Sequence, residues 1–165
     1  MGTIGLSRTN RLFWLGRYLE RVYTTLKATR GMFDAETDGA EADYKDYCRR
    51  MGIACRYENT AAFIRSYYFD AENADSVAAS LAHAYDNAIV LRETLSSDTL
   101  AYVQMAVTAM ELAAKSSGPA VELQWVLDDI MAFRGSCEEN IEEEINRNII
   151  KSGASLERVD IFLRL

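Results

Sequence analysis

One proline and nine glycines in the whole sequence leave long stretches of chain without a helix breaker. Histidine occurs once, at His83, and no glutamate stands at the spacing of the Glu-x-x-His pairs that build a di-iron bundle site. The three cysteines, Cys48, Cys55 and Cys137, are an odd number with no C-x-x-C spacing, which points to a reduced cytosol. They read as small apolar core residues, because only His83 is available to activate a thiol. Positive charge is also scarce. The net charge of −7 argues against binding a phosphate backbone, so nucleic acid is not an expected partner. No apolar run approaches the roughly 18 residues of a membrane span, and no signal-peptide core follows the first residues. Met1-Gly2 opens the chain, but Leu6 stands where N-myristoylation needs serine or threonine. A cytoplasmic protein without a membrane anchor is therefore expected. There is no Ser-His-Asp set, no phosphate-binding glycine loop and no dinucleotide fingerprint, so no cofactor is implied.

What the sequence does have is apolar content of 49%, enough for one sizeable core without disulfides or metal. Residues 1–165 read as a single domain. Within it a motif recurs: Gly16-Arg17-Tyr18-Leu19-Glu20-Arg21-Val22 returns as Gly153-Ala154-Ser155-Leu156-Glu157-Arg158-Val159. Both copies read G-x-x-L-E-R-V. Apolar positions continue through each glycine at helical spacing, as Leu12, Leu15, Leu19, Val22 and Leu26 in the first copy. In the second, Ile145, Ile149, Ser152, Leu156, Val159 and Leu163 trace the expected stripe. Each glycine thus sits inside a helix, where it costs roughly 1 kcal/mol against alanine. The usual reason is close backbone approach. Glu20 and Glu157 lie four residues after their glycines and share the glycine's face.

Taken in order, the spacing predicts a first helix capped by Ser7 and running to about Phe33, roughly 40 Å long. Thr37-Asp38-Gly39 is turn chemistry. A short helix with Tyr44, Tyr47, Cys48 and Met51 then stops at Gly52, and Asn59 caps another over residues 60–70. Asp75 or Ser76 opens a helix with the stripe Val77, Leu81, Ala84, Ala88, Leu91 and Leu95, and Ser96-Ser97 recaps the chain for Leu100, Val103, Val107 and Met110. Pro119 and Gly135 delimit a helix with Leu123, Val126, Leu127, Ile130 and Phe133, ending at Arg134. The last helix is expected to start near Cys137. No segment has strand periodicity, so the fold class is all-α, an antiparallel bundle of about six or seven helices with long first and last members.

If the motif helices cross at Gly16 and Gly153, Glu20 and Glu157 approach one another near a pseudo-two-fold axis. Two carboxylates so placed would form an acid–base or metal-binding pair. The alternative is a structural network in which Arg21 reaches Glu157 and Arg158 reaches Glu20, with Arg17 adding a local contact to Glu20. The second copy has Ala154 for Arg17 and Asp160 for Tyr23, which leaves its site more acidic. The run Glu138, Glu139, Glu142, Glu143 and Glu144 reads as a solvated helix face. His83 falls off its helix's apolar stripe and reads as solvated.

The segment Ser7-Arg8-Thr9-Asn10-Arg11-Leu12-Phe13-Trp14-Leu15-Gly16-Arg17-Tyr18-Leu19-Glu20-Arg21 resembles the N-terminal signature of the bacterial alpha-E family. Leu156-Glu157-Arg158-Val159-Asp160 is similar to that family's recurring L-E-R-x-D segment. Asp86-Asn87-Ala88, Leu91-Arg92-Glu93 and Leu95-Ser96-Ser97 resemble its middle helix. The resemblance implies a short or truncated member, and it makes Asn87 and Arg92 candidates to join the glutamate site, against a plain solvated flank. It also implies a role beside the ATP-grasp-type ligases and transglutaminase-like peptidases near which such proteins are encoded. Three expectations follow. A helical accessory or binding module would have both glutamates saturated by arginine with no cavity beside them. An enzyme acting on amide or peptide bonds would hold both in one solvent-reachable pocket. A structural homodimer would show a concentration-dependent mass.

Overall fold

The computed structural model describes residues 5–40 and 42–165, and among these it contains eight helices and no strand. They are α1 (Leu6–Ala28), α2 (Arg30–Thr37), α3 (Tyr44–Met51), α4 (Thr60–Phe69), α5 (Val77–Val90), α6 (Ser97–Lys115), α7 (Ala120–Asn140) and α8 (Glu144–Arg164). α1 is the central element, packed against α8, α5, α7 and α2. Its stripe Leu12, Leu15, Leu19, Val22 and Leu26 is buried throughout. α5 runs antiparallel beside it, joined by Arg11 to Asn87 at one end and by Tyr18 against His83 further along. α6 and α7 form an antiparallel hairpin. Its open end is tied by Thr99 Oγ1 and Ser136 Oγ, 2.7 Å apart in the interior.

The local signals mostly act where they stand. Ser76, Ser96 and Asn59 accept hydrogen bonds from the amides of Ala79, Thr99 and Ala62, each capping its helix. Gly52 ends α3 in the left-handed region at φ 71°, which glycine adopts without steric penalty. Five boundaries differ, the first at α5, which stops at Val90 although its stripe predicts a helix through Leu95. α1 is preceded by Gly5 with no side-chain cap, so Ser7 lies inside the helix. The first helix stops at Ala28, where fully buried Thr29 departs from helical geometry at φ −96° and ψ 3°, its hydroxyl bonded to Thr25 O at 2.8 Å and to the Tyr68 hydroxyl at 2.6 Å. α7 passes through Arg134 and Gly135 to Asn140, held by the buried pair Ser136 and Cys137. That moves the start of α8 from near Cys137 to Glu144. The break at Thr29 raises the helix count above the expected six or seven.

The region around α3 and α4 coheres through aromatic packing. Phe63 stacks on Tyr44 and Tyr67 with ring centroids 5.4 and 5.0 Å apart, and Tyr47 and Tyr67 share a hydrogen bond of 3.0 Å. Cys48 and Cys137 are buried and Cys55 is exposed, so the core reading of the cysteines fails at Cys55.

A larger correction concerns α8. The stripe Ile145, Leu156, Val159 and Leu163 faces solvent, while Asn146, Ile150, Gly153, Glu157 and Ile161 are buried. Two faces of this helix carry helical periodicity, and the glycine face wins because it alone admits a second backbone. A Cβ added at Gly16 would overlap Ile150 O and lie 2.9 Å from its carbonyl carbon; one added at Gly153 would overlap Phe13 O in the same way. The contacts are reciprocal. Gly16 meets residues 150 and 154, and Gly153 meets residues 13 and 17, so α1 and α8 cross in the same direction about a local two-fold axis.

Candidate functional site

The crossing buries one carboxylate on each side of it. Glu20 is 1% exposed and Glu157 is 2% exposed. On a helix, adjacent residues point about 100° apart, so a glutamate turned into the crossing leaves the following arginine directed across it. Arg21 Nε donates to Glu157 Oε1 at 2.5 Å, and Arg158 Nε donates to Glu20 Oε1 at 2.8 Å. The two E-R pairs are exchanged between the helices.

Each carboxylate has a second arginine. Arg17 Nε donates to Glu157 Oε2 at 2.6 Å, so this residue serves the opposite helix and not Glu20. Glu20 Oε2 accepts from Arg134 Nη2 of α7 at 2.6 Å and from Arg158 Nη2 at 3.1 Å, and Thr24 Oγ1 donates to Oε1 at 2.7 Å. By the local symmetry the counterpart of Arg17 is Ala154, and Arg134 supplies the cation that this position lacks. Three of the four guanidinium groups are themselves seated on aromatic rings. Arg17 lies 4.8 Å from the Trp14 centroid, Arg21 5.7 Å from Tyr18 and Arg134 4.3 Å from Tyr23.

Residues 6–165 match the alpha-E family model, described as a predicted alpha-helical domain with a conserved ER motif. The chain belongs to the alpha-E family. No curated protein and no solved structure matches it. In this alpha-E chain the E-R pairs Glu20-Arg21 and Glu157-Arg158 are the residues exchanged across the glycine crossing.

Of the remaining candidates, Asn87 accepts a hydrogen bond from Arg11 at 3.1 Å, and Arg92 is exposed beside Glu93. Neither reaches the glutamates, since the α1–α5 face lies away from α8. Asp160 pairs with Arg164 one turn on, at 3.3 Å. Each glutamate holds two arginines and Asp160 is paired with Arg164, so the second copy is not the more acidic one. Arg134 and Thr24 were not legible as partners of Glu20; the Ala154 gap was the available signal, but it did not say which helix fills it. Among the described residues no group of three or more His, Cys, Asp or Glu side chains is placed to hold a metal ion, and no helix is long and apolar enough to cross a membrane.

A cleft of about 460 Å³ opens between α1, α7 and α8 beside Glu20, lined also by Arg134, Arg147, Lys151 and Arg158. Glu157 does not line it. The two carboxylates therefore share no cavity, yet one of them does border a cleft, which departs from both expectations.

Burial pushes the Glu20 carboxyl up. The hydrogen bonds from Arg158 and Thr24 and the charges of Arg134 and Arg158 reverse this and hold it below the ordinary 4.5. A carboxyl depressed in the folded state contributes stability that is complete above its unfolded value and lost as pH falls through the folded value. Urea-unfolding free energy is accordingly expected to decline as pH drops below 4.5, and Glu20→Gln is expected to flatten part of that decline. An unchanged acid slope in the variant would show that Glu20 carries no such linkage.

Proposed function

We propose that this chain is a cytoplasmic helical binding module that works beside an ATP-grasp-type ligase or a transglutaminase-like peptidase and performs no bond chemistry of its own. One observation carries the first part: each buried glutamate is closed by two arginines drawn from facing helices. A carboxylate so held has both oxygens occupied, which suits a register device and not a general acid or base. The partner class rests on the family resemblance implied by the N-terminal signature. Exposed Met105, Leu112 and Trp125 around a cleft of about 510 Å³ on the α6–α7 hairpin add an apolar surface suited to docking a larger protein.

The test pairs calorimetric binding of the purified chain to each enzyme class with an assay for amide or peptide hydrolysis by the chain alone. Saturable binding to one class and no turnover by the chain alone are expected. Turnover by the chain, abolished in Glu20→Gln while its circular dichroism is unchanged, would overturn the reading in favour of an enzyme using the Glu20 cleft. Absence of binding to either class would remove the partner assignment.

A further inference from the structure

The cleft of about 510 Å³ on the α6–α7 hairpin combines exposed apolar side chains with uncompensated acid. Met105, Leu112 and Trp125 are about half exposed there. Asp128 and Asp129 also line it, Glu122 stands one turn before Trp125 on α7, and Glu111 stands one turn after Thr108 on α6. No lysine, arginine or histidine lines the cleft. Among the described residues none of these carboxylates has an ion-pair partner. Asp128 accepts from the neutral amide of Gln124 at 2.9 Å, and Glu122 Oε2 is buried without a hydrogen-bond partner. Burial and the neighbouring Asp128 charge push the Asp129 carboxyl up, the response of a carboxylate that has like charge beside it and no cation.

Charge narrows the occupant. Unpaired carboxylates repel nucleic acid and the anionic face of a membrane. A second copy laid face to face would set Asp128 and Asp129 against their own counterparts, in a chain whose net charge is already −7. The complement is a surface that carries apolar anchors together with positive charge. Shape narrows it further. From Ala101 to Leu112 the α6 side of the cleft runs roughly 16 Å, about three turns of a helix. Among the described residues there is no sheet edge to pair with an extended segment, so a segment seated here must satisfy its own backbone, as a helix does. The groove between two antiparallel helices is also the seat that a third helix fills by ridge-into-groove packing.

We infer, on the reading of this hairpin as a docking surface, that its cleft receives a basic amphipathic helix of a partner protein, with apolar side chains on Met105, Leu112 and Trp125 and lysine or arginine beside Asp128 and Asp129. The probe is a synthetic peptide of about 18 residues with leucine and lysine at amphipathic helical spacing, set beside a leucine–glutamate peptide of the same pattern. Titrated into the whole chain in a calorimeter, the lysine peptide is expected to bind saturably and the glutamate peptide not at all. In a Trp14→Phe background the emission of Trp125 is expected to move to shorter wavelength as the peptide covers it. Asp128→Asn combined with Asp129→Asn is expected to weaken binding about tenfold, and Trp125→Ser about thirtyfold. Leu163→Ser on the exposed stripe of α8 is the control and leaves affinity unchanged. No binding, equal binding of the two peptides, or affinity that survives the hairpin substitutions would each overturn the inference. A two-chain mass without peptide, reduced to one chain by Trp125→Ser, would overturn it in favour of a second copy. Peptide binding without binding of either enzyme class would uphold the basic helix and remove the partner assignment. An enzyme that binds the Asp128→Asn, Asp129→Asn chain as tightly as the native one would do the reverse.

Discussion

Gly16→Ala or Gly153→Ala is expected to destabilise the chain by about 3 kcal/mol, although helix propensity alone would stabilise it by about 1 kcal/mol. Packing decides the sign. The new methyl group at either position meets carbonyl backbone of the opposite helix, at Ile150 or Phe13, which has no rotamer by which to yield. α1 and α8 must then separate, and the ion pairs that depend on their spacing lengthen with them. For a chain of this size the loss amounts to roughly 6–12 °C in Tm. Gly135→Ala supplies the contrast. Nothing lies within 4 Å of a Cβ there, and the residue sits within α7, so the same substitution is expected to stabilise by about 0.5–1 kcal/mol. Thermal unfolding of the three variants checks both signs at once. A neutral Gly16→Ala would mean that the crossing has slack and that the repeated glycine has another cause.

Glu157→Gln is expected to cost about 3 kcal/mol, because it strands two guanidinium groups that were placed to meet one carboxylate. Arg17 is only 18% exposed and rests on Trp14, so it cannot recover full hydration by swinging outward. Arg21 is 36% exposed and recovers more, which keeps the loss at the lower end for a buried pair. Arg92→Ala, at an exposed pair with Glu93, is expected to change stability by less than about 0.5 kcal/mol. Urea denaturation of the two variants separates a network that holds register from charges that merely sit on the surface. Equal small effects would remove the structural role assigned to the E-R exchange.

The legible parts of this fold were those governed by local chemistry. Ser76, Ser96, Asn59 and Gly52 mark helix ends because a cap or a left-handed residue acts within one turn of itself. Arg134-Gly135 misled for the complementary reason. It has the composition of a helix end, but Ser136 and Cys137 are drawn inward by the neighbouring core, and tertiary burial overrides the local stop signal. Thr29 is similar: its hydroxyl is spent on Tyr68, a residue 39 positions away, and nothing adjacent to it announces the break.

The repeat itself, two helical glycines each followed four residues later by an E-R pair, is a property of the sequence, and so is the prospect that the two helices cross there. Periodicity marked a single apolar stripe on the last helix, Ile145 to Leu163, and could not say that the glycine face would be buried in its place. Only the tertiary structure chose the glycine face for α1, left the Ile145 to Leu163 stripe in solvent and brought Arg134 from α7 to the carboxylate that Ala154 leaves without its cation. The reason is geometric: a helix pattern records which residues share a face, whereas which face meets a partner depends on how closely two backbones can approach and on what a third helix carries to the same point.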